Sequence, residues 1–96
     1  MIRHICMFQL KNENKEAVLK EALERLEKLR DIDLIKRFEV VTNDKEAPES
    51  NYDLSLIFDF DSMEDLNTYQ KDPLHLEFAK FITEARENRA CIDYRL

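Results

Sequence analysis

Alternating apolar and polar residues along this chain predict four β-strands. The first covers residues 2–10, where the even-numbered positions are mostly apolar and therefore share one face of a sheet. A second strand is predicted over residues 34–42, and residues 52–60 carry a leucine, phenylalanine or tyrosine at every second position. Residues 89–96 are expected to form the last strand.

Between the first two strands the spacing of apolar residues changes to three and four, which predicts a helix over residues 14–30. Asn14 is a suitable N-cap, because its short polar side chain can accept a hydrogen bond from a free backbone N–H of the first turn. The apolar stripe that would pack on the sheet consists of Leu19, Ala22, Leu23, Leu26 and Leu29.

The second helical region is predicted to be broken into two pieces. A capping-box-like segment at Ser62 starts a short helix over residues 62–70. Asp72 then caps a new helix with Pro73 in its first position, where the missing N–H is not needed. This helix is expected to end near Asn88, and its inward residues are Leu74, Phe78, Phe81, Ile82 and Ala85.

The order β-α-β-β-α-β predicts one α+β domain of ferredoxin-like topology over residues 1–96. Right-handed crossovers place the strands in the order 4-1-3-2 of one antiparallel sheet, with the helices on one face. The other face would still carry apolar residues, among them Ile5, Met7, Ile57 and Ile92. A second copy packed on that face would cover them, so we expect a homodimer whose two sheets form an α+β barrel.

Composition excludes several classes of function. The chain has no glycine, and the close backbone approach to a phosphate in a P-loop or a dinucleotide-binding turn needs glycine. We therefore expect no nucleotide chemistry, no α/β-hydrolase chemistry and no cofactor. The net charge of −6 disfavours nucleic acid and anionic membranes as partners. With no apolar run of membrane-spanning length and no secretory signal, a cytoplasmic protein is expected.

The two cysteines lie in the first and last strands. Without a secretory context, Cys6 and Cys91 are expected to be buried thiols, and a metal site that adds His4 is the alternative. A register that places Cys6 opposite Cys91 would also place His4 opposite Asp93. A carboxylate in a core strand needs a partner. The His4–Asp93 pair would be either a structural contact or one that orients a functional imidazole.

His75 and Tyr69 are the candidates for acid/base chemistry. His75 occupies the third position of the helix that starts at Pro73, where the helix dipole disfavours an imidazolium. A neutral ring is therefore expected, and a neutral imidazole can act as a general base. Tyr69, six residues earlier, could present its hydroxyl to the same cavity. The alternative is that both side chains are only packed in the core.

Four segments resemble the stress-responsive dimeric α/β-barrel (Dabb) family, in collinear order over the whole chain. The third of them is the most specific to the family. They are Ile2-Arg3-His4-Ile5-Cys6-Met7-Phe8, Tyr52-Asp53-Leu54, Tyr69-Gln70-Lys71-Asp72-Pro73-Leu74-His75 and Ala90-Cys91-Ile92-Asp93-Tyr94.

The resemblance implies a homodimer with a cavity between helices and sheet, in a family most of whose members have no established activity. The family includes the plant enzyme olivetolic acid cyclase, which closes a linear polyketide thioester without a metal or an organic cofactor. By this resemblance, Tyr69 and His75 match its acid/base pair. His4 matches a histidine that lines the pocket, and Asp93 matches an aspartate that supports the catalytic histidine.

Two residues depart from the family pattern. Asp72 stands where the family commonly has a histidine, which strengthens the helix cap but removes a ring from the pocket rim. Leu54 stands where the cyclase has a further histidine, which makes the cavity more apolar. We expect Phe8, Leu54 and Phe78 to form apolar walls of this cavity.

Three functions remain open. The first is a homodimer that binds a small apolar or polyketide-like molecule near His75 and Tyr69, with or without chemical conversion of that molecule. The second is a cofactor-free cyclase, lyase or isomerase with His75 as base and Tyr69 as acid or oxyanion stabiliser. The third is a structural, stress-related assembly protein whose histidines are only packed.

Overall fold

The computed structural model describes residues 1–96 and confirms the ferredoxin-like α+β fold. Four antiparallel strands form one sheet in the order β2-β3-β1-β4, which is the predicted order 4-1-3-2. The elements are β1 (Ile2–Leu10), α1 (Lys15–Glu27), a 3-10 turn (Lys28–Asp31), β2 (Arg37–Thr42), β3 (Leu54–Phe60), α2 (Met63–Gln70), α3 (Pro73–Ala85) and β4 (Arg86–Arg95).

The side chains of the central strand β1 alternate between the two faces of the sheet. Its even-numbered residues are buried under the helices, while its odd-numbered residues are half-buried or exposed. This alternation is the one that the sequence predicts, because successive side chains of a strand point to opposite faces. The core between sheet and helices includes Phe58 and Phe60 of β3 and Leu26 and Leu29 of the first helical region.

The first helical region differs from the prediction at its start and in its connection to β2. Asn14 precedes the helix with a positive φ of 53°, and its side chain makes no capping hydrogen bond. Asparagine is one of the few residues that tolerate this left-handed conformation. β2 begins at Arg37 rather than three residues earlier, because the chain turns at Ile35, whose N–H donates to the Ile32 carbonyl.

Both predicted caps of the broken helix are confirmed. The Asp65 N–H donates to Ser62 Oγ at 3.1 Å, and the Leu74 N–H donates to Asp72 Oδ1 at 2.8 Å. The broken helix therefore restarts where the sequence places it.

α3 ends at Ala85, three residues before the predicted end. Arg86 already has extended backbone angles and pairs with Leu10 of β1, and the Lys11 N–H donates to the Ala85 carbonyl. Pairing with β1 overrides the helical propensity of residues 86–88, so helix and strand join without a loop. None of the helices combines the length and the apolar composition that crossing a bilayer requires.

β1 and β4 pair in the register considered from the sequence, with Cys6 opposite Cys91 and His4 opposite Asp93. The expectation of two buried thiols is wrong, because Cys6 is buried but Cys91 is exposed, and the two are joined in a disulfide between Cα atoms 4.2 Å apart. Directly opposed residues of neighbouring antiparallel strands point to the same face, so their sulfur atoms can meet.

Candidate functional site

A cavity of about 230 Å³ lies between α3 and the sheet. Most of the site residues predicted from the sequence line this cavity. The wall consists of His4, Cys6 and Phe8 of β1, Leu56 of β3, Tyr69 and Gln70 of α2, one stripe of α3, and Arg86 and Arg89 of β4.

The stripe of α3 that faces the cavity follows from helix geometry. Residues three and four apart share one face of a helix, and the cavity-lining residues follow this spacing to the first residue of β4. They are His75, Phe78, Ala79, Ile82, Thr83 and Arg86. The stripe is polar at its two ends and mainly apolar between them.

Tyr69 occupies the centre of the site, between two histidines. Its side chain is only 1% exposed, and its ring centroid lies 4.6 Å from that of His75 and 6.3 Å from that of His4. Burial is the main cause that raises the pKa of the Tyr69 phenol, and the nearby negative charge of Asp72 adds to it. The phenol is therefore neutral at physiological pH and can donate a proton or a hydrogen bond.

The hydrogen bond of His75 fixes its tautomer. Nδ1 lies 2.9 Å from the backbone carbonyl oxygen of Gln70, and a carbonyl can only accept, so Nδ1 carries the proton. Nε2 of the neutral ring then keeps a free lone pair. Burial is the main cause that lowers the pKa of His75, and it outweighs the opposing effect of the Gln70 hydrogen bond.

The structure agrees with the sequence that the imidazolium form of His75 is disfavoured, but the cause differs from the expected one. From the sequence, a neutral ring is expected because of the dipole of α3. In the structure the half-buried position of the ring contributes most to the lowered pKa, and electrostatic interactions with His4 and Arg89 disfavour the imidazolium further. At neutral pH the Nε2 atom of His75 can accept a proton.

Asp93 supports His4 and not His75. Its Oδ1 atom lies 2.5 Å from His4 Nδ1, and His4 is 4% exposed. The resemblance implied a bond from Asp93 to the catalytic histidine, and the structure instead gives that supporting role for His75 to the Gln70 carbonyl. The cause is the register, because Asp93 lies directly opposite His4 on the neighbouring strand.

Two further residues differ from their expected positions at the site. Leu54 is buried beside Phe8 but lies outside the cavity wall, where Leu56 stands instead. Asp72 caps α3, and its negative charge acts on the pKa of Tyr69 and of His75 from a distance. Phe8 and Phe78 do line the cavity, with ring centroids 6.1 Å apart.

Sequence reasoning missed Gln70, Arg86 and Arg89 as site residues. A usable signal exists for Arg86, because it continues the spacing of the α3 stripe one step beyond Ala85. For Arg89 the signal is the alternation of β4, which places Arg89 on the same face of the sheet as Cys91 and Asp93. No group of three or more histidine, cysteine, aspartate or glutamate side chains is placed to hold a metal ion.

Comparison with known proteins agrees with this fold. The family described as Stress responsive A/B Barrel Domain (Dabb) matches residues 2–96. A dimeric protein of unknown function and ferredoxin-like fold from Bacteroides fragilis is similar, with a TM-score of 0.86 and 29% identity over 99% of this chain and 95% of that chain. A Dabb family protein from Mesorhizobium loti has a TM-score of 0.82 and 25% identity, with 99% and 95% covered.

A hydroxynitrile lyase from Passiflora edulis also shares the fold. Its TM-score is 0.84 at 22% identity, and the match covers 99% of this chain and 92% of that chain. No curated protein sequence matches the chain at a significant level.

Proposed function

The chain belongs to the stress-responsive A/B barrel (Dabb) family, and from this premise we propose a cytoplasmic homodimer that binds a small apolar or polyketide-like molecule. The observation that carries the proposal is the cavity of about 230 Å³ between α3 and the sheet. Its wall combines an apolar middle with a few polar groups, which is the usual composition of a ligand site. The cavity is open to solvent beside Thr83 and Arg89, which are exposed, so a ligand can enter it from outside.

Thermal-shift screening against aromatic and polyketide-like compounds tests the binding proposal. We expect at least one compound to raise the Tm of the wild type more than that of His75→Ala, because His75 lines the cavity. Leu76→Ala is the matched control, since Leu76 follows His75 on α3 but is 54% exposed on the outer side. If no compound stabilises the wild type more than His75→Ala, the binding site is elsewhere or absent.

A second candidate function is cofactor-free acid/base catalysis in the same cavity. The observation that favours it is the Gln70 hydrogen bond, which leaves Nε2 of His75 as a free base beside Tyr69. Nε2 would remove a proton from the carbon next to a carbonyl group. The neutral phenol of Tyr69 would stabilise the oxyanion that develops on that carbonyl. This chemistry suits a cyclase, a lyase or an isomerase.

Deuterium exchange into the activated carbon of a β-keto thioester in D₂O tests the catalytic candidate. Loss of a positioned base typically costs a factor of about 10² or more, so His75→Gln should exchange the probe at close to the uncatalysed rate. Leu76→Ala should keep the wild-type rate. Equal rates for the wild type and His75→Gln would reject His75 as the base while leaving ligand binding possible.

The homodimer is supported by the sheet face that the helices leave open. Ile92 is 60% exposed and Met7 is 37% exposed on this face, with Ile5 and Ile57 half-buried beside them. The chain exposes 6345 Å², whereas a monomeric protein of 11.5 kDa is expected to expose about 5,800 Å². A twin copy on this face would bury its exposed apolar residues.

Sedimentation equilibrium tests the dimer. We expect a mass of twice 11.5 kDa for the wild type and a monomer for Ile92→Asp, because a charge would be buried in the apolar interface. Leu76→Asp is the control, since it adds the same charge to an exposed leucine of the helix layer. A monomeric wild type would contradict the dimer.

A further inference from the structure

Two arginines of the cavity wall identify the chemical class of the ligand. Resting on the proposed ligand-binding function, we propose that the cavity recognises an elongated carboxylic acid. Arg86 and Arg89 bind the carboxylate, and the apolar middle of the cavity binds the body of the molecule.

These two arginines differ from most others in the chain. Arg3, Arg25, Arg30 and Arg37 each form an ion pair with a carboxylate. Arg86 and Arg89 form none, although acidic residues outnumber lysine and arginine by 21 to 15. Unpaired arginines are therefore not a consequence of a shortage of carboxylates.

The Arg86 Nε–H is the one buried side-chain polar group without a hydrogen-bond partner. A buried donor without an acceptor is costly, and most such groups in native proteins have a partner. The atom belongs to a residue that lines the cavity. A carboxylate oxygen of a ligand would satisfy it, and the guanidinium fork suits a carboxylate in particular.

The position of Arg86 sets the shape of the ligand. His75 and Arg86 lie eleven residues apart along the stripe of α3, which corresponds to about 16 Å between their Cα atoms at the rise of an α-helix. Arg86 and the His75–Tyr69 pair are therefore at opposite ends of one cavity, with Phe78 and Ile82 between them. Arg89 lies close enough to His75 for its charge to act on the pKa of His75. A ligand that contacts both ends has to be elongated.

The volume of the cavity limits the size of the ligand. At the packing density of protein interiors, 230 Å³ corresponds to roughly 170 Å³ of atoms, or about ten non-hydrogen atoms. A straight-chain acid of about eight carbons has this number of non-hydrogen atoms and an elongated shape.

The charges around the cavity favour a single negative charge. Arg86 follows the C-terminus of α3, whose dipole stabilises a cation and opposes the accumulation of several negative charges. Asp72, at the other end of α3, keeps an anion away from the His75 end. A carboxylate also costs less to desolvate than a doubly charged phosphate.

Isothermal titration calorimetry with octanoate, octanamide and inorganic phosphate tests this proposal. Octanamide has the shape of octanoate without its charge, and phosphate has charge without an apolar body. We expect octanoate to bind the wild type at least about tenfold more tightly than octanamide, with phosphate weaker than both. Arg86→Gln should abolish the preference for octanoate, and Arg89→Gln should reduce it.

Arg95→Gln is the matched control, because Arg95 belongs to the same strand, forms no ion pair and lies outside the cavity. Unchanged octanamide affinity in Arg86→Gln shows that the variant is folded and its cavity intact. Equal affinity for octanoate and octanamide, or an equal effect of Arg95→Gln, overturns carboxylate recognition and leaves apolar ligand binding standing. If neither octanoate nor octanamide binds, the proposed binding function fails as well.

Discussion

The two histidines on either side of Tyr69 share a residue type and a cavity but have different roles. His4 lies in the central strand, is almost completely buried, and donates its Nδ1 proton to the carboxylate of Asp93. His75 lies in the first turn of α3, is half-buried, and donates its Nδ1 proton to the Gln70 carbonyl.

The difference between their acceptors separates a structural histidine from a chemically available one. The His4–Asp93 bond joins a central strand to an edge strand, so it contributes to the stability of the sheet. A bond to a backbone carbonyl leaves His75 without a charged partner, and burial then lowers its pKa. His75 is therefore the histidine with a ring nitrogen available to accept a proton, while His4 stabilises the pairing of β1 with β4 beside the cavity.

The largest expected effect comes from breaking the His4–Asp93 bond. Asp93→Ala leaves the buried Nδ1–H of His4 without its acceptor, and we expect the free energy of unfolding to fall by about 1–3 kcal/mol. Urea denaturation measures this loss. Asp33→Ala is the control, because Asp33 is exposed and should change stability by less than about 0.5 kcal/mol. Equal losses in both variants would show that the bond adds no stability.

A smaller effect is expected for His75→Gln. This change removes one hydrogen bond to a backbone carbonyl at a half-buried site, so the free energy of unfolding should fall by about 0.5–1 kcal/mol. Ligand binding should weaken at the same time. A loss of stability as large as that of Asp93→Ala would mean that His75 is mainly structural.

The pH dependence of stability should differ between the wild type and His75→Gln. The pKa of His75 is lower in the folded chain than its unfolded value of about 6.5. Between the two pKa values the unfolded chain binds more protons, so acidification lowers the free energy of unfolding. From about pH 7.5 to about pH 5.5, the wild type should lose more stability than His75→Gln. The carboxylates titrate in both proteins, so the difference between them isolates His75.

The smallest expected effect is a change in the His75 pKa after Arg89→Gln. Burial remains the main cause of the lowered pKa, but the positive charge of Arg89 contributes to it. The pKa should therefore rise in Arg89→Gln and still lie below its ordinary value of about 6.5. An NMR titration of the imidazole C–H resonances measures this. An unchanged pKa would show that Arg89 does not act on His75.

Much of the fold could be predicted because strand alternation and helix caps are local patterns. Ser62 and Asp72 cap helices in the structure, and the alternation of β1 and β4 is compatible with the observed pairing of His4 with Asp93. The end of α3 could not be predicted in this way. Arg86 leaves the helix because it pairs with Leu10, which is a contact between distant parts of the chain.

The candidate site was only partly predictable. His75 and Tyr69 carry chemistry by residue type, so the sequence indicates them directly. The tautomer of His75 depends on the Gln70 carbonyl, which is a backbone group with no sequence signal. Arg86 and Arg89 look like ordinary charged residues of an edge strand until the cavity beside them is seen.

The tautomer of His75 tests the central claim most directly. A long-range ¹H–¹⁵N NMR spectrum at about pH 7.5 distinguishes the protonated from the unprotonated ring nitrogen, and His75→Gln assigns the signals. We expect a neutral ring with the proton on Nδ1 and an unprotonated Nε2. A proton on Nε2, or a charged imidazolium at this pH, would contradict the assignment of His75 as the available base.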